Sequence, residues 1–127
     1  MNFNLLIFVA IGGSIGAVLR FVISYYCNKF LGSNFAYGTL TVNILGSFLM
    51  GFLFLYFNQV ISPNLKTMLT TGMLGALTTF STFSLETILM LQDGVYLKAF
   101  LNIVLNVVLS LMATILGMYL FKKAYGI

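Results

Sequence analysis

Apolar residues fill the chain in four long tracts, and short polar clusters separate them. The tracts run over about residues 4–26, 37–57, 65–91 and 96–121, and each reaches the roughly 20 residues that an α-helix needs to cross a bilayer. The pattern predicts an all-α membrane protein with four transmembrane helices. Turn-forming residues mark the joints: Lys29, Gly32, Ser33 and Asn34 after the first tract, Pro63 ahead of the third, and Asp93-Gly94 behind it. Four such helices with short turns occupy nearly all of the 127 residues, so residues 1–127 read as a single transmembrane domain. The first tract has no basic segment ahead of it and no small-residue cleavage site, so it is expected to be a retained helix and not a removable leader.

On these apolar cylinders, small and polar residues recur at a spacing of four, which places them on one helix face. The first helix carries Gly12, Gly16, Arg20 and Ser24; the second Thr39, Asn43, Ser47 and Gly51; the fourth Asn102, Asn106, Ser110 and Thr114. Gly12, Gly16, Gly46 and Gly51 suit close helix packing, because a missing side chain lets backbones approach. Three asparagines are harder to assign to packing, since a buried amide without partners is costly. Asn43 and Asn106 are therefore candidates for a permeation or binding role; Asn102, nearer a helix end, ranks below them. These groups are amides and hydroxyls, and neutral donors suit a small anion that must shed water without being trapped. Arg20 is the one guanidinium within a span. It is expected to reach the headgroups, to pair with Glu86, or to concentrate anions in a pore vestibule.

The third tract has the least membrane-like centre. Its middle reads GALTTFSTFSLE, Gly75 to Glu86. A glycine followed by the β-branched pair Thr78-Thr79 is a plausible place for the helix to unwind. Non-helical backbone at that depth needs cover from protein or a polar cavity, and freed carbonyls at a midplane break commonly coordinate a cation. Phe80 and Phe83 share a face, with Ser81, Thr82 and Ser84 filling the rest of the turn. Aromatic ring edges are electropositive, so the two rings are candidates to line an anion path while excluding water.

Composition narrows the function. The chain is 61% hydrophobic and 6% charged, with no histidine and one cysteine, Cys27, so a Cys/His zinc site and an internal disulfide are excluded. Glu86 and Asp93 are the only acids, which argues against a paired-carboxylate hydrolase or a carboxylate-caged divalent ion. With no base or metal constellation the chain is not expected to be an enzyme. The net charge of +4 forms no run, and neither a nucleic-acid footprint nor a nucleotide loop is present. The basic residues also fail to orient the helices. Lys66, Lys122 and Lys123 fall on one side, and Arg20, Lys29 and Lys98 on the other. A Lys/Arg excess normally sets orientation. Its balance here fits a chain that inserts both ways and pairs as an antiparallel homodimer with a two-fold axis in the membrane plane.

The segments GGSIGAVLRF, GTLTVNILGSFLMG, GMLGALTTFSTFSLE and NVVLSLMATILG together resemble the Fluc (CrcB) family of fluoride channels over essentially the whole chain. The resemblance implies a dual-topology antiparallel homodimer, a third helix broken at its middle, two fluoride pores and a central structural Na⁺. It implies that Phe80 and Phe83 are pore phenylalanines and that Asn43 is an amide donor facing fluoride. Gly75 and Thr78 would give backbone carbonyls to Na⁺, and Thr79, Ser81 and Thr82 would supply hydroxyls. Asn106, Ser110 and Thr114 match the polar track of the fourth helix, Arg20 and Glu86 match vestibule positions, and Asn102 stands where many members have Tyr. The implied activity is passive export of fluoride through a bacterial-type inner membrane, which confers fluoride resistance. HF crosses lipid, dissociates inside, and the trapped anion leaves down the membrane potential. Two rivals compete. A small dual-topology, proton-coupled multidrug exporter needs an intramembrane carboxylate in its first helix, and none is there. A non-transporting membrane scaffold subunit accounts for the glycines but not for the asparagines and the mid-span hydroxyls.

Overall fold

A computed structural model describes residues 1–127. The chain is all-helical: α1 spans Phe3–Leu31, α2 Tyr37–Gln59, α3 Pro63–Lys66, a π-helical segment Thr67–Leu74, α4 Gly75–Leu77, α5 Phe80–Gln92 and α6 Tyr96–Tyr125. The pieces from α3 to α5 form one membrane-length unit, Pro63–Gln92. With α1, α2 and α6 this makes four helices long and apolar enough to cross a membrane.

The ends of the helices follow from local chemistry. Asn2 caps α1 by accepting from the Asn4 amide at 3.0 Å. Pro63 opens α3, where its missing N–H costs nothing. Gly32 stops α1 at φ 87° and Gly94 turns the chain into α6 at φ 75°, a region that side chains disfavour.

Helix α1 outruns the apolar tract that announced it. Cys27 to Leu31, expected in the first loop, are helical. Lys29 lies in the last turn, where a cation favours the free carbonyls. Its ammonium also sits 6.0 Å and 5.8 Å from the ring centres of Tyr26 and Phe30. Those local contacts make the charged turn a helix end rather than a loop.

Helix α1 packs along the π segment and α4, α2 packs along α6, and α5 leans on α6. The first two seams are built on glycine. A Cβ on Gly12 or Gly16 would collide with the backbone carbonyls of Met68 or Met73, and one on Gly72 with that of Val9. Across α2 and α6 the same holds for Gly51 against Thr114 and Gly117 against Phe48. Gly46 instead makes room for the methyl of Thr78. The π segment packs mainly along α1. Its i+5 hydrogen bonding widens the helix, and no residue pattern announced it.

Only 20 of 127 residues are buried, so the single chain has almost no interior. Its apolar core is the cluster Val42, Leu74 and Leu77, just ahead of the residues that break the regular helix.

Candidate functional site

Between Leu77 and Phe80 the third span is not helical. Thr78 has φ −80° and ψ 157°, and Thr79 has φ −149° and ψ 120°. The extended pair is held by side chains. Asn43 on α2 bonds both backbone groups of Thr79: its Oδ1 accepts from Thr79 N at 2.8 Å, and its Nδ2 donates to Thr79 O at 3.2 Å. Thr79 then caps α5, its hydroxyl accepting from Thr82 N at 3.1 Å. Thr78 donates its hydroxyl back to Leu74 O at 3.0 Å.

The break leaves carbonyls of the preceding turn without their helical partners, Gly75 O and Thr78 O among them. In a continuous helix Thr79 N would donate to Gly75 O, and Thr82 N to Thr78 O. Both amides are engaged elsewhere. Gly75 is exposed, and a Cβ there would meet only Thr70 O, at 3.8 Å. Carbonyl oxygens freed at such a break are uncharged donors that could hold a monovalent cation.

Two polar cavities meet at Thr79. One, of about 250 Å³, lies against Asn43, Ser47, Phe80, Phe83, Asn106 and Ser110, with no charged residue in its wall. The Phe80 and Phe83 rings stand 5.5 Å apart at 60°, and Phe80 is 79% exposed on the single chain. Ser110 Oγ is buried with no hydrogen-bond partner. The other cavity, of about 290 Å³, contains Arg20, Ser24, Thr39 and Thr82. A third hollow of about 440 Å³, near the loop between α1 and α2, is lined by Asn34, Glu86, Asp93 and Lys98. The Thr39 hydroxyl donates to Glu86 Oε1 and so bridges the second and third hollows.

The structure brings Asn43, Thr79, Phe80, Phe83, Asn106 and Ser110 together, and sets Arg20 with Thr82 beside them. It does not bring in Thr114, whose hydroxyl donates to Ser47 O at 3.2 Å and Ser110 O at 3.1 Å in the seam between α2 and α6. Ser81 is exposed and lines neither cavity; its hydroxyl lies 3.5 Å from that of Thr79. Arg20 and Glu86 line different hollows and form no ion pair, because Glu86 is turned toward Thr39. Asn102, ranked lowest by its position, is fully buried. Its amide donates to Thr87 Oγ1 at 2.9 Å and its oxygen accepts from Asn106 at 3.1 Å. Sequence reasoning missed Thr39 as the partner of Glu86, and missed Thr87 altogether. The row of four containing Thr39 was the only signal for the first; a lone threonine gave none for the second.

The family model described as CrcB-like protein, Camphor Resistance (CrcB), matches residues 7–118. A curated relative from a Nitratiruptor species, named Fluoride-specific ion channel FluC, is 57% identical over 99% of this chain and 98% of its own length. Relatives of the same name from a Sulfurovum species and from Shewanella loihica are 56% and 54% identical, over 96% and 92% of the chain and 97% and 95% of their own lengths.

Proposed function

The chain belongs to the CrcB-like family, and on that premise we propose that it is a passive, fluoride-selective channel that lets fluoride out of the cytoplasm across the cell inner membrane. The observation that carries this reading is the pair of polar cavities meeting at Thr79, halfway along a membrane-length unit, one of them walled by neutral groups and two phenylalanines. A hydroxyl donor and electropositive ring edges attract a small anion without the deep well that a buried ammonium would create. Arg20, in the adjoining cavity, raises local anion concentration ahead of that uncharged stretch. Fluoride accumulated by entry of HF then leaves down the membrane potential, with no coupled proton or nucleotide.

The working unit is an antiparallel homodimer with two pores. Gly75, Phe80, Ser81, Thr82 and Ser84 are exposed near the centre of the unit Pro63–Gln92. Exposed polar groups and free backbone at that depth require protein cover, and a second copy supplies it. Gly75 and Thr78 of each copy would turn their carbonyls to a structural Na⁺ between them, and that ion would screen the facing carbonyl dipoles.

Purified protein in liposomes tests the channel. Fluoride efflux well above that of empty vesicles, with chloride retained, is the expected result. Efflux no faster than in empty vesicles overturns the reading, and equal chloride efflux overturns the selectivity. Dual topology has its own test. In a Cys27→Ala background, Ser33→Cys should be labelled by an impermeant thiol reagent from both sides of the membrane in similar amounts. Labelling from one side alone contradicts it.

A further inference from the structure

The side-chain amides behind the cavity are bonded in one direction only. Thr87 donates its hydroxyl to Phe83 O at 2.8 Å, so toward Asn102 it can only accept. That places the Asn102 amide nitrogen on Thr87 and its oxygen on Asn106. Asn106 Nδ2 donates to Asn102 O at 2.8 Å and to Asn102 Oδ1 at 3.1 Å, which uses both of its protons. Asn106 Oδ1 therefore faces Asn43, and accepts from Asn43 Nδ2 at 2.9 Å. The second proton of Asn43 goes to Thr79 O, and Asn43 Oδ1 receives Thr79 N. Reversing any one amide would set two donors or two acceptors against each other in a buried site, where an unmade hydrogen bond is costly. Ser110 stands apart from this chain of bonds: it lines the cavity, but its hydroxyl is buried and unpartnered.

We propose that Thr87, Asn102, Asn106 and Asn43 form a one-way buttress that clamps the Thr79 peptide in its extended form. Thr87, at the far end of that chain of bonds, is then a positioning residue that acts on Thr79 through the three amides. The buttress does not rest on the channel reading, and it is measurable in the protein without any ion.

Thr87 lies in neither polar cavity, so it reaches Thr79 through the buttress. In labelled, detergent-solubilised protein, Thr87→Val should shift the side-chain amide resonances of Asn43 and speed hydrogen exchange at the Thr79 amide about tenfold. Thr87→Ser should do neither. Should Thr87→Val fail to fold, Thr87→Val with Asn102→Leu replaces both partners by apolar groups, a change that can be nearly neutral for stability; it should show the same two effects. Unchanged Asn43 resonances and unchanged Thr79 exchange in a folded variant overturn the buttress. In liposomes Thr87→Val should lower maximal efflux and leave the half-saturating fluoride concentration in place, and Thr87→Ser should restore the efflux. A changed half-saturation with unchanged maximal efflux overturns the positioning role of Thr87.

Discussion

The two halves of the third span are built on opposite principles. From Pro63 to Leu77 the unit lies against α1 with backbone nearly touching backbone, and glycines at 12, 16 and 72 make that possible. From Thr78 to Gln92 it is held by side chains: Asn43 on the Thr79 peptide, Thr39 on Glu86, Asn102 on Thr87. The first half is a close-packed seam in which Gly12, Gly16 and Gly72 leave no room for a Cβ. The second uses its polar groups to fix an extended turn and to wall two cavities. The contrast teaches a division of labour. The glycine seam fixes where the extended residues sit, and the side-chain half decides what they face.

The largest expected effect attacks the seam. Gly16→Val puts a branched side chain into the Met73 carbonyl, and destabilisation of about 3 kcal/mol or more should leave little monodisperse protein by size-exclusion chromatography. Next, on the other half, Phe80→Ala and Phe83→Ala each remove a ring from the cavity wall. Each should lower fluoride efflux by about tenfold, the scale of a single ring contact, without loss of folded protein. Thr39→Val strands the Glu86 carboxyl without its hydroxyl partner. It should cost about 1–3 kcal/mol in a thermal or denaturant assay, and Thr39→Ser should restore most of that. The smallest effect belongs to the neighbour of Gly12. A Cβ on Gly13 meets nothing, so Gly13→Ala should stay within about 0.5 kcal/mol of the parent while Gly12→Ala does not. If both alanines behaved alike, the seam would not be what fixes the first half.

Much of the architecture was legible because bilayer physics writes it in long runs. Twenty apolar residues in a row have few readings, and the four tracts correspond to four membrane-length helices. The rows at a spacing of four also showed which faces of α2 and α6 carry polar groups. Finer features were hidden for physical reasons. Helix ends moved outward because Lys29 gains aromatic neighbours and terminal carbonyls that an apolar window does not weigh. The π segment has no residue signature. Position along a helix made Asn102 look peripheral, yet α5 folds over it and buries it completely. The direction of the amide chain depends on where Thr87 sends one proton, to Phe83 O. Such a choice is made by three-dimensional proximity and leaves no trace in composition or spacing.

The central claim is that the side-chain half of the span builds a selective path for one small anion. Its most direct test is the reversal potential of the purified protein in a planar bilayer, with equal concentrations of fluoride on one side and chloride on the other. A fluoride-selective path drives the reversal potential far from zero, with the sign of fluoride leaving its own side, and Phe80→Ala reduces the current. A potential near zero with steady current would show that both halides pass equally, and would contradict the account.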